Sequence, residues 1–258
     1  MQEDNKISAL LITYNEEKNI DDILENLAFT DEIIIVDSFS TDRTAQKIKD
    51  FGKATLIQRE FKNYTDQKAY ALEKASHDWV LFLDADERIP PALRDEILQT
   101  VNSDEPTVSA YYFLRTFMFK EKVLHFSGWQ TDKNYRLFKK SKVQFIDDRT
   151  VHESLMVHGD SHTLKNKLIH YSYSSYGEYR EKMLKYGQMK AMDEYKKGKR
   201  GSWMHLVFRP FYKFLNHYVI RLGILDGKKG IIVCYLNALG VYSKFKELRK
   251  LNKTDGHG

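Results

Sequence analysis

The sequence predicts an α/β protein: a mostly parallel central sheet with helices on both faces, followed by a C-terminal helical segment at a membrane interface. Three observations predict it. Apolar runs recur through the first hundred residues: ISALLIT (7–13), EIIIVD (32–37), ATLIQ (54–58) and WVLFLD (79–84). They are continuously apolar rather than alternating, as strands covered on both faces are. Polar segments with helical signals separate them, which implies right-handed crossovers.

Each element has a local reason. Residues 18–27 carry helical spacing. SFSTDRT supplies a turn and an N-cap for a helix over 42–51. Residues 66–75 read as helix. Pro90 and Pro91 open another to about Val101, because a first helical turn tolerates proline. After Glu105-Pro106 the texture changes. VSAYYFLRTFMF, YRLFKK and KVQFI read as strands with no helices between them, so antiparallel strands form a second wall of a cleft. Residues 174–197 are polar and helical. The expected organisation is a first half over 1–105, a second half over 106–195, and a basic aromatic extension over 196–258.

Composition narrows the class. A 258-residue chain with 42% hydrophobic and 30% charged residues is soluble-like and long enough for one large domain with an appendage. Cys234 is the single cysteine, so no disulfide framework forms and a reducing compartment is expected. MQEDNKISALLITY lacks the basic and apolar regions of a signal peptide. The net charge of +5 conceals a split: residues 196–258 hold 14 Lys or Arg against 3 Asp or Glu, and the rest sums to −6. A basic tail suits an anionic membrane or nucleic acid. Trp, Tyr and Phe interleave with its charges, which suits a helix lying in the lipid headgroup zone; the alternative is a helical pair packed on the core or on another subunit. The longest uncharged run, 230–243, has 14 residues, against the roughly 20 a spanning helix needs. The expected location is cytoplasmic, peripheral on the inner face of the cell membrane.

Parallel sheets bind ligands at the carboxyl ends of their strands. Thr13-Tyr14-Asn15-Glu16-Glu17 follows the first strand, Asp37-Ser38 the second, and Asp84-Ala85-Asp86 the fourth. No G-x-G-x-x-G follows the first strand, and no G-x-x-x-x-G-K-[ST] occurs, so dinucleotide and P-loop sites are disfavoured. An acidic rim repels phosphate unless a divalent cation lies between them. Oxygen ligands suit Mg2+ or Mn2+, which bridge to substrate phosphates.

These three signals, with Ser40-Thr41-Asp42, resemble the family 2 glycosyltransferases and their Rossmann-like GT-A fold. GWQTDKNYRLFKK, RTVHESL and LIHYSY resemble the bacterial branch that extends the lipopolysaccharide core. The resemblance implies a nucleotide-sugar donor, a UDP-hexose most simply, and a lipid-linked or oligosaccharide acceptor. By position it implies that Thr13, Asn15 and Glu16 line the nucleotide pocket, that Asp37 meets base or ribose, that Asp84 contacts the ribose and that Asp86 ligates the metal. Lys68 stands where the family often has a basic residue; it contacts nucleotide or is an exposed helix lysine.

Inverting transfer also needs a base for the acceptor hydroxyl. His152-Glu153 supplies the choice, with Glu153 as base; Asp132, Asp147 and Asp148 are its rivals. His152 and His158 are spaced too far apart for a zinc-protease helix. His170, after Leu168-Ile169, is a candidate second metal ligand. Arg136 binds diphosphate or sugar, or is an ordinary paired arginine. Two alternatives are a haloacid-dehalogenase-type phosphatase and a non-catalytic membrane scaffold with a nucleotide site. The first is disfavoured because D-x-D here follows the fourth strand, not the first. If the strand stays extended through Ala85, Asp84 and Asp86 face one cleft.

Overall fold

The computed structural model describes residues 5–103, 107–119, 122–128, 133–146, 154–173 and 175–254. Strands and helices alternate first: β1 (Ile7–Thr13), α1 (Ile20–Asn26), β2 (Glu32–Asp37), α2 (Thr44–Phe51), β3 (Thr55–Gln58), α3 (Tyr64–Lys74) and β4 (Trp79–Phe82). A two-residue strand, β5 (Glu87–Arg88), and α4 (Pro91–Val101) follow. Then come β6 (Val108–Phe119), β7 (Lys122–Leu124), β8 (Lys133–Lys139), β9 (Val143–Ile146), β10 (Ser154–Val157), β11 (Asp160–Thr163) and β12 (Leu168–Tyr173). The chain ends in α5 (Tyr176–Lys196), α6 (Trp203–Leu215) and α7 (Gly227–Thr254).

The main sheet runs β3-β2-β1-β4-β8-β6-β12-β5, with β7 and β11 also paired to β6. The first four of these strands are mutually parallel. β8 is antiparallel to both β4 and β6, which makes the sheet mixed. β9 and β10 form a separate antiparallel pair.

Alternation along β1 and β2 divides the hydrophobic core. Ile7, Ala9, Leu11, Ile33 and Ile35 cluster with Ile20, Ile23 and Leu24 of α1, Ile48 of α2, and Leu93 and Ile97 of α4. Leu10, Ile34, Val36, Val80 and Phe82 cluster with Ala71 and Leu72 of α3. Consecutive strand residues point to opposite faces, so each strand feeds both clusters. That is why these runs are apolar at every position.

Local chemistry sets the helix ends. The Asn63 side chain accepts the Asp66 N–H at 2.8 Å, so α3 starts two residues before the expected 66. Gly52 ends α2 at φ 71°, in the left-handed region that glycine adopts without strain. The largest departure from expectation is at the fourth strand. β4 stops at Phe82, and Asp84 to Glu87 form a closed turn rather than an extended continuation.

By internal contacts the chain divides into two compact units. One comprises residues 1–115 and 133–170, the other residues 116–132 and 171–258. The helix over 176–196, expected to belong with the strands before it, packs with the C-terminal helices instead. The second unit has its own core of Phe117, Phe119, Leu124, Tyr179, Val233 and Leu236. Among the described residues, no helix is long and apolar enough to cross a membrane.

Candidate active site

The rim begins where β1 and β2 end side by side, with Thr13 opposite Asp37. The loops that follow are stitched together. The Asn15 N–H donates to Ser40 Oγ at 2.8 Å, and the Thr41 N–H donates to Asn15 Oδ1 at 2.8 Å. The Glu16 N–H donates to Thr44 Oγ1 at 2.8 Å, and the Glu17 N–H to Asp42 Oδ2 at 3.1 Å. Burial of Asp42 opposes its charge, but the Thr44 hydroxyl and nearby N–H donors outweigh this and lower its pKa. Asn15 and Phe39 both have φ of 56°. Asparagine tolerates that region; for phenylalanine it is a strained outlier. The Phe39 ring is 55% exposed.

Asp37 is fully buried. It accepts bonds from the Thr13 hydroxyl at 2.9 Å, the Ser40 N–H at 2.9 Å, the Ser40 hydroxyl, and Gln58 Nε2 at 3.3 Å. In this structure it organises the loop after β2, and its oxygens are committed to those donors. Thr13 is likewise buried against it, whereas the neighbouring Tyr14 ring is exposed.

The acidic turn lies beside this rim. Two bonds close it: the Glu87 N–H donates to Asp84 O, and the Asp84 N–H donates to Glu87 Oε2, both at 3.0 Å. Arg136, on β8 next to β4, inserts its guanidinium between the two acids. Its Nη2 is 2.7 Å from Glu87 Oε1 and also bonds Asp84 Oδ2. Arg115 Nη1 approaches Glu87 Oε1 at 3.6 Å. Glu87 is 0% exposed, so an ion there needs these partners. Arg88 reaches the Asp22 carboxylate at 3.5 Å. It donates to the carbonyls of Ala85, Glu87 and Asn19 and ties the turn to the start of α1.

Lys68 is 7% exposed, which removes the reading of a solvated helix lysine. Its Nζ lies 5.4 Å from the Phe82 ring centre, and its charge reaches Asp84. Partial burial opposes ionisation of Asp84, but Arg136 and then Lys68 outweigh it and hold that carboxyl well below the usual carboxylate range. Burial pushes Glu87 up against the pull of Arg136, and the neighbouring Asp84 charge adds to the push. Burial opposes the charge of Arg136, but the same two acids outweigh it and raise its pKa, so it stays charged.

Asp86 has a different partner. β12 runs antiparallel to β5 with His170 opposite Glu87, and His170 Nε2 is 3.3 Å from Asp86 Oδ2. Asp84 and Asp86 therefore separate, one toward arginine and the other toward histidine. The turn does this, not an extended strand. Asp86 and His170 offer one oxygen and one nitrogen. That set suits Mg2+ or Mn2+ and leaves the remaining positions to phosphate oxygens and water. Among the described residues no group of three or more His, Cys, Asp or Glu is arranged to hold a metal.

The structure thus brings Thr13, Asn15, Glu16, Asp37, Lys68, Asp84, Asp86, Arg136 and His170 into one unit. Arg136 is the paired arginine of the two readings. Glu87 and Arg115 are additional members that the sequence reading passed over. His152, Glu153, Asp132, Asp147 and Asp148 lie outside the described residues.

Fold and rim define a sugar-transferring enzyme of the GT-A type. Residues 8–158 match the family model for glycosyl transferase family 2, and the chain belongs to that family. A lipopolysaccharide core biosynthesis glycosyltransferase, LpsC of Rhizobium meliloti (strain 1021), is 28% identical over 92% of both chains. An uncharacterized glycosyltransferase of Rickettsia typhi is 30% identical over 96% of this chain and 88% of its own. Among solved structures, glucosyl-3-phosphoglycerate synthase from Mycobacterium tuberculosis, with Mn2+, UDP and phosphoglyceric acid, gives a TM-score of 0.37. It is 25% identical and covers 44% of this chain and 43% of its own. Family membership sets aside the phosphatase and silent-scaffold readings.

Proposed function

We propose that this glycosyltransferase moves a hexose, with inversion, from a UDP-sugar to a lipid-linked saccharide of the lipopolysaccharide-core kind. The likeness to LpsC over almost the whole chain supports the acceptor class. The observation that carries the donor site is the acidic turn, where ionised Asp84 pairs with Arg136 while Asp86 stands with His170.

The residues divide the work. Asn15, Glu16 and the loop braced by Asp37 and Thr13 line the nucleotide side. Asp84, kept ionised by Arg136 and Lys68, accepts ribose hydroxyls. Asp86 and His170 hold a divalent metal, Mg2+ or Mn2+. Such an ion, when bound, neutralises charge on a leaving diphosphate. Glu153 takes the proton of the acceptor hydroxyl as that oxygen attacks the anomeric carbon. Residues 1–105 form most of the donor half, completed by Arg136 and His170 from 106–195, which is otherwise the acceptor half.

A UDP titration with and without Mn2+ tests the donor site. Binding is expected to strengthen with Mn2+ in the wild type, and Asp86→Ala is expected to lose that enhancement and all turnover while keeping its circular dichroism. Near-normal turnover in Asp86→Ala sinks the metal assignment. Glu153→Gln should bind donor normally and lose turnover. If instead Asp132→Asn or Asp148→Asn is the inactive variant, the base is misassigned.

A further inference from the structure

Helix α6 is apolar on both sides. At 100° per residue, Trp203, Met204, Val207, Phe208, Phe211, Tyr212 and Leu215 share one half of its surface. All seven are exposed, with Trp203 at 65% and Phe208 at 63%. Leu206 and Pro210 lie on the other half and Phe214 at the boundary beside Trp203; all three are partly covered, and α6 packs against α7. An ordinary surface helix turns its charges outward; this one turns its aromatics outward.

The exposed band continues past the helix. A π-helical turn (Asn216–Ile220) and a 3-10 turn (Gly223–Asp226) follow. They present Val219, Ile220, Leu222, Ile224 and Leu225, with Ile220 at 69% exposure. π-turns cost helical regularity and concentrate at functional sites. Patches of this extent mark a docking surface.

The charge around the band selects its partner. Lys196, Lys197, Lys199 and Arg200 are exposed immediately before α6, Arg209 is exposed on it, and Lys228 after it. Asp226 is the single acid over residues 197–228. Its oxygens are occupied by the N–H groups of His125 and Phe126 and by the Ser127 hydroxyl. A second copy would bring like charge against like, whereas anionic lipid headgroups complement it. Aromatics with flanking Lys and Arg are also the composition of a helix lying at the headgroup level.

We propose that residues 203–225 seat this protein on an anionic lipid bilayer, with the α6 aromatics in the headgroup zone and the flanking cations on the lipid phosphates. The proposed lipid-linked acceptor gives this seat its purpose, but the geometry stands without it. The test is co-sedimentation of the full chain with vesicles of phosphatidylglycerol and phosphatidylcholine, and with phosphatidylcholine alone, in the absence of donor. Wild type should bind the anionic vesicles preferentially and release with salt. Phe208→Glu with Phe211→Glu should bind at least about tenfold more weakly and keep its circular dichroism and UDP titration. Lys196→Ser with Lys197→Ser and Arg200→Ser should lose the preference for anionic lipid. The proposal is overturned if wild type ignores vesicles, if the phenylalanine variant binds like wild type, or if wild type is a lipid-free dimer that this variant dissociates. Failure of UDP binding with intact vesicle binding would count against the donor reading alone.

Discussion

Arg136 shows how a single residue settles the acidic turn. Two carboxylates, Asp84 and Glu87, converge on one guanidinium that is 5% exposed. Arg136→Met keeps much of the volume and removes the charge, which strands both acids. The expected loss of stability is about 3–5 kcal/mol. The loss should depend on pH. In the wild type Asp84 has a lowered pKa, so its contribution is present above its unfolded value and disappears only as pH falls through the lower folded one. Without Arg136 the acids take up protons at higher pH, so mild acid narrows the gap between variant and wild type. Urea unfolding of both proteins at neutral and mildly acidic pH measures this. A constant gap contradicts the account. Glu87 itself was illegible in DADER, because an acid beside two others reads as solvated. The usable signal lay elsewhere, in Arg115 and Arg136 inside the apolar runs VSAYYFLRTFMF and NYRLF. A cation embedded in such a strand requires a buried counter-charge.

Among the elements, β1 to β4 and the helices between them were legible because covered strands are apolar at every position and helices carry caps. The stop at Phe82 was not legible, since Leu83 extends the apolar pattern after the sheet pairing of β4 has ended. The pairing of β5 with β12 was not legible either. It joins Glu87 to His170 across 83 residues of chain through a bond pattern that side chains do not announce. The rim motifs were legible as a set, and their structural reason is mutual. Ser40, Thr41, Asp42 and Thr44 bond the backbone and side chain of the loop that begins at Asn15. The packing of α5 on α7 depends on a detail that periodicity hides. A Cβ on Gly187 would stand 2.5 Å from Gly240 O and 2.8 Å from Ser243 Cβ. Gly187→Ala gains helix propensity yet forces these helices apart, and overpacking should win by about 1–3 kcal/mol. Urea denaturation followed by far-ultraviolet circular dichroism tests it, and a stabilised Gly187→Ala contradicts the close approach.

For the molecule as a whole, the two proposed jobs fall on two separately packed regions. The donor rim belongs to the unit built on the two sheet cores, and the exposed aromatic band belongs to the unit around Phe119 and Tyr179. Charge follows the same division, with the acidic balance in residues 1–195 and the basic one after them. A ligand that binds only the folded state protects the amides whose opening it opposes. In the rim loops the amides of Asn15, Glu16, Glu17, Ser40, Thr41 and Thr44 donate to side chains rather than to sheet ladders, so they have protection to gain. Hydrogen exchange with UDP and Mn2+ should therefore slow residues 13–17, 37–44 and 84–88. Anionic vesicles without nucleotide should slow residues 203–225. Each addition alone is expected to leave the other segment at its free rate. Protection of 203–225 by UDP and Mn2+ without lipid would show that donor and membrane binding are linked, and the division of labour argued here would fail.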